Sequence, residues 1–125
     1  MKLLIVDDEP ALCEMLRQHF EKHFECKVFT ATTPGEALQL LERELPEGML
    51  LDLQLKSRLT GFDVLARARQ ISPATKVIMV TGVNDFACVE KALELGAVDY
   101  ITKPFTVDYL EDTVAKKIAT HLLYA

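Results

Sequence analysis

The chain has 125 residues, half of them hydrophobic and 26% charged, with a formal net charge of −5. That length fits one domain, residues 1–125, with a substantial core; the acidic balance excludes a basic face for direct binding of nucleic acid. No stretch approaches the ~20 apolar residues of a membrane span, and Met1-Lys2 runs into an apolar segment too short for a signal-peptide core. A cytoplasmic protein with no membrane contact is expected. Cys13, Cys26 and Cys88 are odd in number and lack C-x-x-C or metal-ligand spacing, which reads as reduced core thiols.

Short apolar runs alternate with amphipathic stretches of helical length. Leu3 to Val6 is a continuous apolar run ending in Asp7-Asp8, the pattern of a buried parallel strand. A helix follows, with Pro10 in its first turn and Leu12, Met15, Leu16 and Phe20 at helical spacing. Lys27 to Ala31 reads as a second strand. Thr33-Pro34-Gly35-Glu36 carries a capping-box pattern and opens a second helix, whose apolar face is Ala37, Leu38 and Leu41; Pro46-Glu47-Gly48 closes that unit.

Met49-Leu50-Leu51, ending in Asp52, is the third strand. Gly61 to Ile71 is a third helix, expected to turn Phe62, Leu65 and Ala66 toward the sheet. Val77 to Val80 ends in Thr81 and Gly82 as the fourth strand, and the helix after it ends at Leu95-Gly96, where glycine is the usual left-handed terminator. Val98 to Thr102 is the fifth strand, broken by Pro104. Thr106 caps a last helix bearing Val107, Leu110, Val114 and Ile118 on one face. Strand-helix units with near-continuous apolar strands predict an α/β doubly wound parallel sheet, whose ligands bind beyond the carboxyl ends of the strands.

Three predicted strands end in polar residues that a core does not want: Asp7-Asp8, Asp52 and Thr81, with Lys103 following the fifth. Two carboxylates ~4 Å apart repel by on the order of 4 kcal/mol at an effective dielectric of ~20, so the cluster calls for a cation. Carboxylate oxygens with water are the ligand set of Mg²⁺. Lys103 adds a fixed positive charge and Thr81 a hydroxyl donor. Together they make a site for a phosphoryl group, with Asp52 as nucleophile.

The set Asp7-Asp8, Asp52, Thr81, Tyr100 and Lys103-Pro104 resembles the full motif set of response-regulator receiver domains of two-component signalling, in spacing as well as residue type and over essentially the whole chain. The resemblance implies a five-stranded flavodoxin-like (βα)5 fold with strand order 2-1-3-4-5. It implies Asp52 as phosphoacceptor and a Mg²⁺ ion held directly by Asp8, by Asp7 mainly through water, by Asp52 and by the backbone carbonyl of Gln54. Thr81 resembles the hydroxyl that moves toward the acyl phosphate, Lys103 its ion-pair partner, and Tyr100 the aromatic whose ring turns inward in response. The Lys103-Pro104 bond is implied to be cis. The implied partners are a sensor histidine kinase or phosphotransfer protein, with a homodimer through the fourth helix, fifth strand and fifth helix as a further possibility. No output domain is expected within these residues. The implied role is a signalling switch that catalyses only its own phosphorylation and slow dephosphorylation.

One departure stands out. The loop after Asp52 carries Lys56 where the family pattern has proline, and Gly61 opens the next helix about one residue late. Other readings sit beside the switch. Asp7 also suits a cap for the helix at Pro10, Glu9 a first-turn acid or a tuner of the metal site, and Tyr100 plain packing. His19, His23 and His121 read as surface or interface residues without partners. A dehalogenase-like phosphatase needs a general-acid Asp two residues after its nucleophile, where this chain has Gln54. A phosphorylation-independent interaction domain is the third alternative.

Overall fold

A computed structural model describes residues 1–82 and 86–123. Its elements are β1 (Lys2–Val6), α1 (Pro10–His23), β2 (Lys27–Ala31), α2 (Pro34–Glu44), β3 (Gly48–Asp52), α3 (Gly61–Ile71), β4 (Lys76–Thr81), α4 (Phe86–Glu94) and β5 (Asp99–Thr102). A C-terminal helix follows: an α-helical turn at Val107–Tyr109, wider π-helical winding at Leu110–Val114, α-helix at Ala115–Ile118 and π winding again at Ala119–Leu123. Tyr124 and Ala125 lie outside the described residues.

All strand pairs are parallel and the order is β2-β1-β3-β4-β5, the expected doubly wound sheet. Alternation along the strands sorts the core into two layers. Leu4, Val6, Met49, Leu51, Val77 and Met79 face Ala37 and Leu41 of α2, Val64, Leu65 and Ala68 of α3, and Ala92 of α4. Leu3, Ile5, Leu50, Ile78, Val80 and Ile101 face Cys13, Leu16 and Phe20 of α1 and Leu110, Val114 and Ile118 of the C-terminal helix. Both sheet faces are therefore covered, which is why the inner strands read as unbroken apolar runs.

Several helix faces differ from expectation. On α3 the buried stripe is Gly61, Val64, Leu65 and Ala68, the i, i+3, i+4, i+7 set; Ala66 is exposed and Phe62 only half-buried, with the Lys91 ammonium 4.4 Å from its ring. On α1 Met15 is exposed and Cys13 takes the inward position. Val107 is 65% exposed because the buried face of the last helix starts at Leu110. Its buried residues recur every four positions, a spacing that drifts around a 3.6-residue helix but stays in line when the winding is wider.

Only half of the expected capping box forms at α2: Thr33 accepts the Glu36 N–H, while the Glu36 carboxylate accepts from the Thr32 and Thr33 hydroxyls. The complete box is at α3, where Thr60 and Asp63 each bind the other's main-chain N–H. Gly96 ends α4 with φ of 106°, as its sequence position predicts.

Candidate functional site at the carboxyl edge of the sheet

The parallel register brings the strand ends together. Val6 pairs with Leu51, Asp52 with Val80 and Thr81 with Thr102, so the residues just beyond β1, β3, β4 and β5 share one edge beside the β1/β3 switch point. There Asp7, Asp8 and Asp52 each bring a carboxylate oxygen within 4.8 Å of the others. Asp7 and Asp52 are buried and Asp8 is half-buried.

Each carboxylate has one oxygen held by a main-chain N–H. Glu9 donates to Asp7 Oδ1 at 3.0 Å, Gln54 to Asp52 Oδ1 at 2.9 Å, and Lys56 to Asp8 Oδ2 at 3.2 Å. The Lys56 contact was not foreseen, although the missing proline was its signal: a proline there has no N–H to give. Asp7 therefore does not cap α1 through the usual bond to its first turn. It binds the N–H of Glu9, the cap residue, and Glu9's own side chain makes no capping bond.

Lys103 is the counter-charge. Its Nζ lies 2.8 Å from Asp7 Oδ2, 3.2 Å from Asp52 Oδ2 and 3.9 Å from Glu9 Oε2. The Lys103-Pro104 bond is cis, as the resemblance implies. Burial works against the Lys103 ammonium, but its hydrogen bond to Asp7 and the charges of Asp52 and Asp7 outweigh that and raise its pKa. Burial also dominates at Asp52, raising its pKa against the Gln54 N–H and Lys103, with the Asp7 charge adding to the rise. Beneath the cluster, Cys13 Sγ lies 3.4 Å from the Asp7 carbonyl oxygen. Burial, then the Asp7 charge, pushes its thiol up to about 11, so it is an inert core thiol.

Thr81 is buried at the end of β4, its hydroxyl toward the Gly82 carbonyl at 3.4 Å and its own carbonyl accepting the Lys103 N–H at 2.9 Å. Tyr100 stands apart from the carboxylates on the edge strand β5. It is half-buried, with the Lys117 ammonium 4.6 Å from its ring centroid. Gln54 is exposed on the loop beside Asp52. Nearby, Asp99 binds both Lys117 Nζ and His121 Nε2 at 3.0 Å, so His121 has the partner that sequence reading denied it. Lys117 and His121 lie four apart in the sequence, the spacing that could have shown it.

Gly61 explains how the altered loop rejoins the fold. A Cβ at Gly61 would lie 2.6 Å from the Asp52 carbonyl oxygen and 2.6 Å from Leu53 Cα, so only glycine lets α3 start against the end of β3.

The comparisons with known proteins agree with this fold. A family model described as the response regulator receiver domain matches residues 3–115. Sporulation initiation phosphotransferase F of Bacillus subtilis is 31% identical over 115 residues, 92% of this chain and 91% of that protein. A response regulator receiver domain protein (CheY-like) from Methanospirillum hungatei superposes with a TM-score of 0.83 at 31% identity, covering 99% of this chain and 98% of that one. A response regulator from Burkholderia pseudomallei, solved with a phosphorylated aspartic acid, calcium ion and citrate, gives 0.79 at 25% identity, covering 95% and 71%. The chain belongs to the response regulator receiver domain family, a class of signalling switches. It spans less than half the length of other curated relatives that it matches. Among the described residues no helix is long and apolar enough to cross a membrane.

Proposed function

We propose that this receiver domain takes a phosphoryl group from the phosphohistidine of a histidine kinase or phosphotransfer protein onto Asp52. The reading rests on one observation above others: three carboxylates within 4.8 Å of one another, with an ammonium 3.2 Å from Asp52 Oδ2. An Asp52 oxygen attacks phosphorus, the phosphorus–nitrogen bond breaks, and the donor imidazole leaves with the bonding pair. The Gln54 N–H fixes one Asp52 oxygen, and Lys103 offsets charge on the transferred group.

The donor set fits Mg²⁺. Among the described residues three carboxylates face one close ammonium, Lys103, and so carry an excess of negative charge that a divalent cation would offset. Asp8, with one oxygen on the Lys56 N–H, together with Asp7, Asp52 and the Gln54 carbonyl, would hold the ion. When bound, Mg²⁺ supplies charge neutralisation for the phosphoryl oxygens.

Phosphorylation then shifts a two-state equilibrium through Thr81, Lys103 and Tyr100 to the face formed by α4, β5 and the C-terminal helix. That face controls a partner, a second copy or an output domain. Moving the active fraction from about 1% to about 99% takes about 5.5 kcal/mol of differential stabilisation. Among the described residues, the Thr81 hydroxyl has its 3.4 Å contact with the Gly82 carbonyl to give up.

The deciding experiment is labelling with acetyl phosphate followed by intact-mass measurement. Wild type gains one phosphoryl group in Mg²⁺, and Asp52→Asn gains none while keeping its fold. A phosphoryl adduct on the Asn variant overturns the assignment.

A further inference from the structure

Away from the carboxylates, a cavity of about 440 Å³ opens between α1 and the C-terminal helix, lined by His19, His23, Phe24, Glu111 and Ala115. His19 and His23 are one helical turn apart, so they share a face. Their ring centroids are 4.4 Å apart with planes at 45°. The His19 ring also packs edge-on against Phe20 at 5.4 Å, and Phe20 is buried in the core. Unlike His121, which holds Asp99, neither imidazole is hydrogen-bonded among the described residues. Their ring nitrogens are uncommitted.

Two imidazoles on one tetrahedral zinc-class ion, with metal–nitrogen bonds of ~2.0–2.1 Å, have centroids about 5 Å apart. Binding requires the His19, His23 and Glu111 side chains to rotate toward one another, since among the described residues Asp7, Asp8 and Asp52 are the trio with donor atoms already within 4.8 Å. Glu111 is exposed, lines the same cavity and is free of ion pairs among the described residues.

We propose that His19 and His23, with Glu111 across the cavity, form a site for a divalent transition-metal ion of the zinc class. The ion joins α1 to the C-terminal helix on one face of the sheet. The site is chemically distinct from the carboxylate cluster, whose all-oxygen donors suit Mg²⁺, whereas imidazole suits zinc.

The test is calorimetric titration of the full chain with ZnCl₂ in a large excess of Mg²⁺, with imidazole NMR resonances recorded in parallel. One Zn²⁺ is expected to bind, shifting the His19 and His23 ring signals. His19→Gln and His23→Gln should each weaken binding on the order of tenfold or more, since losing a ligand costs at least as much as losing a group that orients one. Glu111→Gln should weaken it less but measurably, and Asp8→Asn should leave it unchanged. Circular dichroism and metal-free melting show whether each variant still folds; substitution on an exposed helix face should leave both as in wild type. Unchanged affinity in His23→Gln, or loss in Asp8→Asn, places the zinc elsewhere and overturns the proposal. Unchanged affinity in Glu111→Gln overturns the bridge between the helices.

Discussion

The two ends of the sheet are built on opposite terms. At the amino ends of β3 and β4 the buried polar side chains, Ser72 and Thr75, are neutral and hydrogen-bonded. Thr75, buried, donates to the Pro46 carbonyl at 2.6 Å and shares a 2.6 Å hydrogen bond with Ser72, while the Lys2 N–H reaches Glu47 Oε2 at 2.8 Å. At the carboxyl ends, Asp7 and Asp52 are buried as charges against a single close ammonium. A buried charge costs far more than a satisfied hydroxyl. One end holds the sheet together; the other gives up stability to keep a charge imbalance, which the proposed cation and phosphoryl group would use.

The largest effect that tests this contrast lies where the charged end is clasped. Gly61→Ala drives a methyl into the Asp52 carbonyl and Leu53 backbone, and should cost about 3 kcal/mol in urea unfolding. A loss under about 1 kcal/mol would show that the carboxyl end is slack. Next, Thr75→Val keeps the shape but leaves Pro46 and Ser72 each one hydrogen bond short, at about 2 kcal/mol. If Thr75→Val unfolds at the wild-type urea midpoint, the amino end is not the stabilising one.

Mg²⁺ sharpens the comparison from the other side. At tenfold excess over its dissociation constant it should stabilise the protein by about 1.4 kcal/mol by mass action, read as a thermal shift. Asp8→Ala should abolish that shift, and a shift of wild-type size in Asp8→Ala would move the ion out of the cluster.

The smallest effect is at Asp99. Burial raises its pKa, but hydrogen bonds from Lys117, the Tyr100 N–H and His121 prevail and hold it below the usual carboxylate range. The unfolded chain therefore takes up this proton first, so the contribution is complete above about pH 4 and is lost as pH falls through the folded value. Asp99→Asn should cost about 1 kcal/mol or less at neutral pH. Urea midpoints across acid pH should also fall less steeply than in wild type; an unchanged slope would leave the acid sensitivity with other carboxyls.

Much of this was legible in the sequence, for identifiable reasons. Strands buried on both faces must be continuous apolar runs, so Leu3 to Val6 and Val77 to Val80 announced themselves, and Asp7, Asp8 and Asp52 stood out as charges at the ends of such runs. What failed was orientation. Ala66 and Ala68 of α3 carry equal hydrophobic weight, and only packing decides between them. Val107 looks apolar but precedes the turn at which the last helix meets the sheet. The Lys56 contact with Asp8 is made by the backbone, so residue type could reveal it only through the proline that is missing.

Gly61 also determines which part of the molecule is free to vary in length. The eight residues from Leu53 to Thr60 are closed on themselves: the Gly61 N–H reaches the Leu53 carbonyl at 3.4 Å, and Thr60 and Asp63 lock the helix start. Adding one residue inside a closed loop of this size costs only about 0.1 kcal/mol of closure entropy. An insertion between Ser57 and Thr60, beyond the Gln54 and Lys56 N–H groups that hold Asp52 and Asp8, would change the rim that the proposed phosphodonor meets and leave those two contacts in place. Docking preference and acceptor geometry are thus separable by a single residue, and a lineage can retune the first by length alone while the second stays fixed.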